Sequence, residues 1–226
     1  MIVKTIILDV DNTLYSYDDA HAAAFAQLQD YARRELGLSA ADFETLHRHT
    51  YRALQGRMGS VAAVHNRLIR YQNMLEQLGQ SVGHALAMNE VYWNALLDAA
   101  RPSPGAGETL EALKRRGIRI GIGTDMTARI QFVKLERLGL LSHVDFLVSS
   151  EEAGAEKPDP AVFRLCVEKA GVPAQQCLFV GDHLEKDVLA PAACGLRSLW
   201  FNPKGAETQA EVEQIRSLPE LMEVLS

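Results

Sequence analysis

The chain opens with an apolar, β-branched run at residues 2–8 (IVKTIIL) that stops abruptly in Asp-Val-Asp-Asn-Thr. Such a run predicts a buried strand that delivers polar groups at its C-terminal end. From about Asp18 to Ala99 the texture changes to Ala, Leu, Gln, Arg and Glu at helical spacing, with no proline between Met1 and Arg101. Three or four helices are expected there, broken near Gly37–Ser39, Gly56–Ser60 and Gly79–Gly83. After Arg-Pro-Ser-Pro-Gly at 101–105 the pattern alternates. It predicts helices near 107–116, 127–138, 159–170 and 186–194, and strands at Ile118–Gly123, Phe146–Val148, Cys177–Val180 and Arg197–Trp200. Strands alternating with helices predict a parallel sheet covered on both faces, interrupted after its first strand by a helical stretch.

Composition narrows the function. At 226 residues and 47% apolar content the chain can bury a sizeable core. A net charge of −6 provides no global positive field to gather nucleic acid or an anionic membrane, so neither partner is expected and a small molecule fits better. Lys4 interrupts the first apolar run and two aspartates follow it, which argues against a secretory signal. The uncharged apolar runs are too short for a membrane span. Cys166, Cys177 and Cys194 are odd in number and lack CxxC spacing, so buried free thiols and a cytoplasmic location are expected.

Chemistry-bearing residues fall where the predicted strands end. Asp9 and Asp11 flank Val10, so an extended backbone puts both carboxylates on one face, and the following turn exposes N–H groups. Two acids this close suit divided labour, one attacking and one exchanging protons; turn acids capping a helix explain the same pattern. Thr124 ends the second strand, where its hydroxyl would meet a phosphate oxygen or cap the next helix. Lys157 precedes Pro158 at a helix start, as a phosphoryl-neutralising ammonium or a solvated loop lysine. In Gly181–Asp187, Asp182 leaves a strand end and Asp187 follows about a turn later. Asp182 and Glu185 have capping-box spacing, yet a cap does not require Asp187. Acids gathered near a phosphate call for a cation, and hard carboxylates suit Mg²⁺. In a parallel sheet these clusters would converge beyond the carboxyl ends of the strands.

Taken together, Leu8-Asp9-Val10-Asp11-Asn12-Thr13-Leu14, Gly123-Thr124, Glu156-Lys157-Pro158 and Gly181-Asp182 through Asp187 resemble the four motifs of the haloacid dehalogenase superfamily, in the same order. The resemblance covers residues 1–15 and about 100–202. It implies an α/β fold: a doubly wound parallel-sheet, Rossmann-like core at 1–15 plus 100–226, with an inserted all-helical cap of the small kind at 16–99. It also implies a magnesium-dependent phosphomonoester hydrolase working through an aspartyl phosphate. Asp9 would attack phosphorus, and Asp11 would protonate the leaving oxygen and then activate water. Asn12, Thr124 and Lys157 would hold the phosphoryl oxygens. Mg²⁺ would be held by Asp9, the backbone carbonyl of Asp11, Asp182 and Asp187. The dehalogenases of the superfamily lack a carboxylate at the Asp11 position because a halide leaves without a proton. Asp125 departs from the asparagine common after the motif threonine, and a helix N-cap is its expected role. The cap, Thr124–Thr127 and Gly181–Asp187 look similar to phosphatases of nucleoside monophosphates or of sugar and sialic-acid phosphates. A phosphomutase would keep every motif. A receiver-type phosphoacceptor is shorter and has no insert after its first strand, and an inactive interaction module would be expected to have lost one of Asp9, Asp11, Lys157 or Asp182.

Within the insert, residues 47–74 carry five arginines (Arg48, Arg52, Arg57, Arg67, Arg70) and no Asp, Glu or Lys. The run reads either as a solvated basic face or as recognition of an anionic leaving group. Arg57 is the candidate, since the Gly56–Gly59 break would expose a helix end. His47 and His49 at i,i+2 do not share a helix face, so no metal cluster is expected there. Tyr15 and Tyr17 mark the crossing into the insert, as entrance wall or hinge packing.

Overall fold

The computed structural model describes residues 2–225. They divide into two compact units, one formed by the chain through Ser16 together with Arg101 onward, the other by Tyr17–Ala100.

In the first unit, β1 (Thr5–Leu8) has all four residues buried and lies inside a six-stranded sheet. β1 is followed in the chain by the insert helices α1 (Tyr17–Glu35), α2 (Ala40–Met58), α3 (Arg67–Gln77) and α4 (His84–Ala99). Then come α5 (Ala106–Arg115), β2 (Arg119–Thr124), α6 (Ala128–Arg137), β3 (Phe146–Ser149), α7 (Ser150–Ala153), α8 (Pro160–Ala170) and β4 (Cys177–Gly181). The chain closes with a π-helical turn (Leu184–Leu189), α9 (Ala190–Ala193), β5 (Arg197–Phe201), β6 (Gln214–Ile215) and α10 (Leu221–Val224). The strand order is β3-β2-β1-β4-β5-β6 and every pairing is parallel. This is the expected doubly wound α/β architecture. The order reverses between β1 and β4, the switch point where such sheets open a crevice.

Register positions the chemistry. Leu8 stands opposite Ile122 on β2 and Val180 on β4, so Asp9, Gly123 and Gly181 emerge at one edge of the sheet. On one face Ile7, Val148, Phe163, Cys166 and Phe179 form a closed apolar layer. The glycines of β2 are required by that packing: a Cβ on Gly121 would lie 2.2 Å from the Phe146 ring, and one on Gly123 2.7 Å from Phe179.

Two departures from the sequence reading have local causes. The single helix expected near 186–194 is a π-helical turn followed by a short α-helix, because Pro191 has no N–H to give the carbonyl one turn back. β6 has only two residues, below the length at which alternation can be read. Cys166, Cys177 and Cys194 are free, as expected, but only Cys166 and Cys177 are buried, Cys194 being half-buried; no helix among the described residues is long and apolar enough to cross a membrane.

The second unit holds α1 (Tyr17–Glu35), α2 (Ala40–Met58), a 3₁₀ turn (Ala62–His65), α3 (Arg67–Gln77) and α4 (His84–Ala99). α1 buries Ala20, Ala24, Leu28 and Ala32, a strict i,i+4 stripe of mostly small residues against which α4 packs Ala85, Met88, Tyr92 and Leu96. Ser39 caps α2 by accepting from the Asp42 N–H, and Gly59, at φ 72°, ends it. Gly56 lies inside α2, so the helix runs past the expected break. α3 turns Arg67, Arg70, Tyr71, Met74 and Leu75 inward.

Candidate active site

β1 ends in a tight turn. The Leu14 N–H donates back to the Val10 carbonyl at 3.0 Å, and Asn12 takes a left-handed φ of 59°, which asparagine tolerates better than most residues. Asp9, 7% exposed, is pinned to the next strand by its N–H on the Val180 carbonyl.

Around Asp9 the ends of β1, β4 and the loop before α8 bring together one buried cation and three carboxylates. The Lys157 ammonium lies 3.0 Å from Asp9 Oδ1 and 2.6 Å from Asp187 Oδ1, and donates to the Gly123 carbonyl. Lys157 is 3% exposed, which excludes the solvated-loop reading. Oxygens of Asp9, Asp182 and Asp187 lie within 4.8 Å of one another. Asp187 Oδ2 accepts from the His183 N–H, and a Cβ on Gly181 would sit 2.5 Å from the Asp187 carboxyl, so the glycine leaves room for that acid. Trp200 on β5 donates its indole N–H to the Asp182 carbonyl and fixes the loop.

Burial pushes the Asp9 carboxyl well above the usual range; Lys157 opposes the rise, and Asp187, Asp11 and Asp182 add to it. Asp182 is pushed up to about 6 by burial and by Asp187. Burial would lower Lys157, but Asp187, Asp9 and Asp125 outweigh it and keep it cationic. One ammonium does not neutralise this set. A divalent cation does, and all-oxygen donors from two buried acids and the half-buried Asp182 fit a hard ion of the Mg²⁺ type.

Asp11 lies in a second cluster, largely missed by sequence reasoning. Lys134 on α6 donates to both of its oxygens, at 2.6 and 2.9 Å, and Gln131 donates to Oδ2 at 3.2 Å. Tyr15, fully buried, donates its hydroxyl to Oδ1. Burial alone would raise the Asp11 pKa; the charge and hydrogen bond of Lys134, with Tyr15 and Gln131, hold it below the usual range. Gln131 also donates to Thr124 Oγ1 at 2.8 Å, which links the end of β2 to the same cluster. The signal was a Gln and a Lys at i,i+3 on the buried face of α6, beside Ile130 and Leu135.

One capping expectation is corrected and one capping alternative falls away. Asp125 does not cap α6: its Oδ1 accepts from the Lys157 N–H and its Oδ2 from Lys186, so it ties two loops together, while Thr127 holds the N-cap position. Asp182 and Glu185 form no capping box, since His183 is the N-cap and its Nδ1 accepts from the Lys186 N–H.

A model of the haloacid dehalogenase-like hydrolases matches residues 3–195. The chain belongs to this family. The hydrolase is 37% identical over 202 residues, 88% of its own length and 84% of its relative's, to a ribulose-1,5-bisphosphate 5-phosphatase of Halopiger xanaduensis. It is 31% identical to the pyrimidine 5'-nucleotidase YjjG of Escherichia coli, over 96% of each chain. Among solved structures it is similar to a 2-haloacid dehalogenase from Pseudomonas syringae, with a TM-score of 0.81 and 25% identity over 99% of this chain and 98% of that one.

In the helical unit, Arg57 is exposed in the last turn of α2 and donates to Asn73 at 3.3 Å. Arg48 and Arg52 are exposed as well; the arginines that the fold buries are Arg67 and Arg70. His47 packs against Phe25 and Phe43, and His49 is exposed, so the pair forms no cluster.

Proposed function

We propose that this hydrolase removes phosphate from a small phosphorylated metabolite, with Asp9 as the covalent nucleophile. The observation that carries the reading is Lys157, an ammonium buried between the carboxylates of Asp9 and Asp187 where parallel strands end. Lys157, with Thr124 and the turn at Asn12, would neutralise and orient the phosphoryl oxygens, the main requirement of phosphoryl transfer. An Asp9 oxygen then bonds to phosphorus as the ester P–O bond breaks. Asp11, having first taken up a proton from solvent, gives it to the departing alkoxide; as a carboxylate it then takes a proton from water, and the hydroxide attacks phosphorus, breaks its bond to Asp9 and releases inorganic phosphate and the Asp9 carboxylate. Asp9, Asp182, Asp187 and the Asp11 backbone carbonyl would hold a magnesium ion. When bound, the ion supplies charge neutralisation for the acids and the phosphate. Lys134, Gln131 and Tyr15 keep the Asp11 carboxylate in one orientation between turnovers.

The relatives support this class of substrate, being named as phosphatases of a pentose bisphosphate, a pyrimidine nucleotide and, in Pyrococcus furiosus, glyceraldehyde 3-phosphate. Asp11 supports ester hydrolysis over dehalogenation, because an alkoxide needs a proton and a halide does not. The helical unit would act as a cap that excludes water during the first step.

The test is phosphate release from a panel of sugar phosphates and nucleoside monophosphates. Release should require magnesium, disappear on chelation and return on adding the ion back. Undiminished release after exhaustive chelation would contradict the metal assignment. Substrate consumed without free phosphate would point to a phosphomutase.

A further inference from the structure

The turn after β2 carries an aspartate that reaches both clusters of the site. Asp125 Oδ1 accepts from the Lys157 N–H at 2.9 Å and Oδ2 from the Lys186 ammonium at 2.9 Å, while its backbone carbonyl accepts from Gln131 at 2.8 Å. The ion pair is sheltered, with 18% of the Asp125 side chain and 32% of the Lys186 side chain exposed. Lys186 precedes Asp187 in the chain, and Asp187 accepts from the Lys157 ammonium at 2.6 Å. The contacts therefore close a ring that runs from Asp125 to the Lys157 backbone, from the Lys157 ammonium to Asp187, and from Lys186 back to Asp125. Such a ring fixes the loop that carries Lys157 against the π-helical turn that carries Asp187. All three of its hydrogen bonds involve a charged group, which gives them direction as well as strength. Next in the chain, Met126 has a φ of 84°, unfavourable for a residue with a side chain, so the surroundings hold this turn in place. One more carboxylate beside this acidic site is unfavourable by itself. Lys186 offsets its charge and leaves its geometry in use.

We propose that Asp125, through its pair with Lys186, is a positioning residue for the magnesium site. It holds Lys157 and Asp187 in register and so sets how tightly Asp9, Asp182 and Asp187 grip the ion, acting through them and not as a ligand. This rests on the magnesium reading of those three acids. Groups that orient metal-binding side chains without touching the metal commonly contribute about 10- to 100-fold in affinity.

The experiment is calorimetric titration with Mg²⁺ in the absence of substrate, with thermal melts alongside. Asp125→Asn is isosteric and Lys186→Met keeps the apolar stem, so both variants should fold. Each should bind Mg²⁺ about tenfold more weakly than wild type, with no further loss in the double variant because the ring is already open. Lys186→Arg keeps the charge and should stay within about twofold of wild type. Charge acting at a distance predicts opposite signs instead, since Asp125→Asn leaves an extra cation near the ion and Lys186→Met an extra anion. Affinity weaker in the first and tighter in the second would overturn the proposal. So would single variants that bind as wild type does, whatever their Tm, or a double variant whose loss is the product of the two single losses. A wild type that binds no Mg²⁺ refutes the metal reading and this inference with it. One that binds Mg²⁺ but releases no phosphate refutes only the phosphatase reading, and the titration still decides.

Discussion

Lys134 is fully buried on α6 and meets Asp11, whose side chain keeps 23% of its exposure. Breaking such a pair leaves a charge in a poorly hydrated site, which costs more than the pair itself contributes. Lys134→Met should therefore destabilise the protein by about 3 kcal/mol, the lower end for buried pairs because Asp11 is partly wetted, lowering Tm by roughly 6–12 °C. In an Asp11→Asn background the same change removes a lysine whose partner is already neutral, so the loss should nearly vanish. Equal losses in both backgrounds, read by thermal melts, would mean that Lys134 supports α6 independently of Asp11. Legibility at this scale divides by chemistry. Asp9, Asp11, Lys157, Asp182 and Asp187 stood out together: most of them also fit an ordinary cap or loop role taken singly, but as a set they fall at the ends of successive predicted parallel strands. Asp125 was misread because the same letter in the same place also obeys helix-cap grammar, and only the fold shows Lys157 and Lys186 reaching it. Gln131 and Lys134 were passed over because polar letters on an apolar stripe look like interruptions of it.

Helices of the insert were legible to within a few residues because glycines at positive φ, Gly37, Gly59 and Gly79, punctuate them. Which face each helix buries was less legible. In α3 the inward face includes Arg67 and Arg70, letters that a hydrophobic pattern assigns to solvent. Their burial reaches α2, where His47 is held neutral by burial and by Arg70 and Arg67, with a folded pKa of about 3 against 6.5 unfolded. Between those values the unfolded chain binds a proton that the folded chain refuses, so stability falls as pH drops below 6.5. The loss reaches up to about 1.4 kcal/mol per pH unit. The urea midpoint should be lower at pH 5 than at pH 7, and His47→Gln should shrink that difference. A His47 ring resonance titrating near 6.5 in the folded protein would contradict this account.

For the whole molecule, the alternation of strands and helices announced the parallel sheet, since a two-sided buried sheet needs continuous apolar strands such as TIIL. Strand order was not legible, because pairing partners are chosen by three-dimensional packing that one sequence does not display. That order sets β1 between β2 and β4 and brings Asp9 beside Lys157 and Asp187. The central claim is that Asp9 carries the phosphoryl group in a covalent intermediate while Asp11 exchanges protons. Rapid mixing of the Asp11→Asn variant with an aryl phosphate and magnesium tests it most directly, because a good leaving group needs little protonation. The account predicts a near-stoichiometric burst of aryl alcohol, then slow turnover, with hydroxylamine-sensitive phosphate on the protein that Asp9→Asn abolishes. A steady rate close to wild type, with no burst and no protein-bound phosphate, would contradict it.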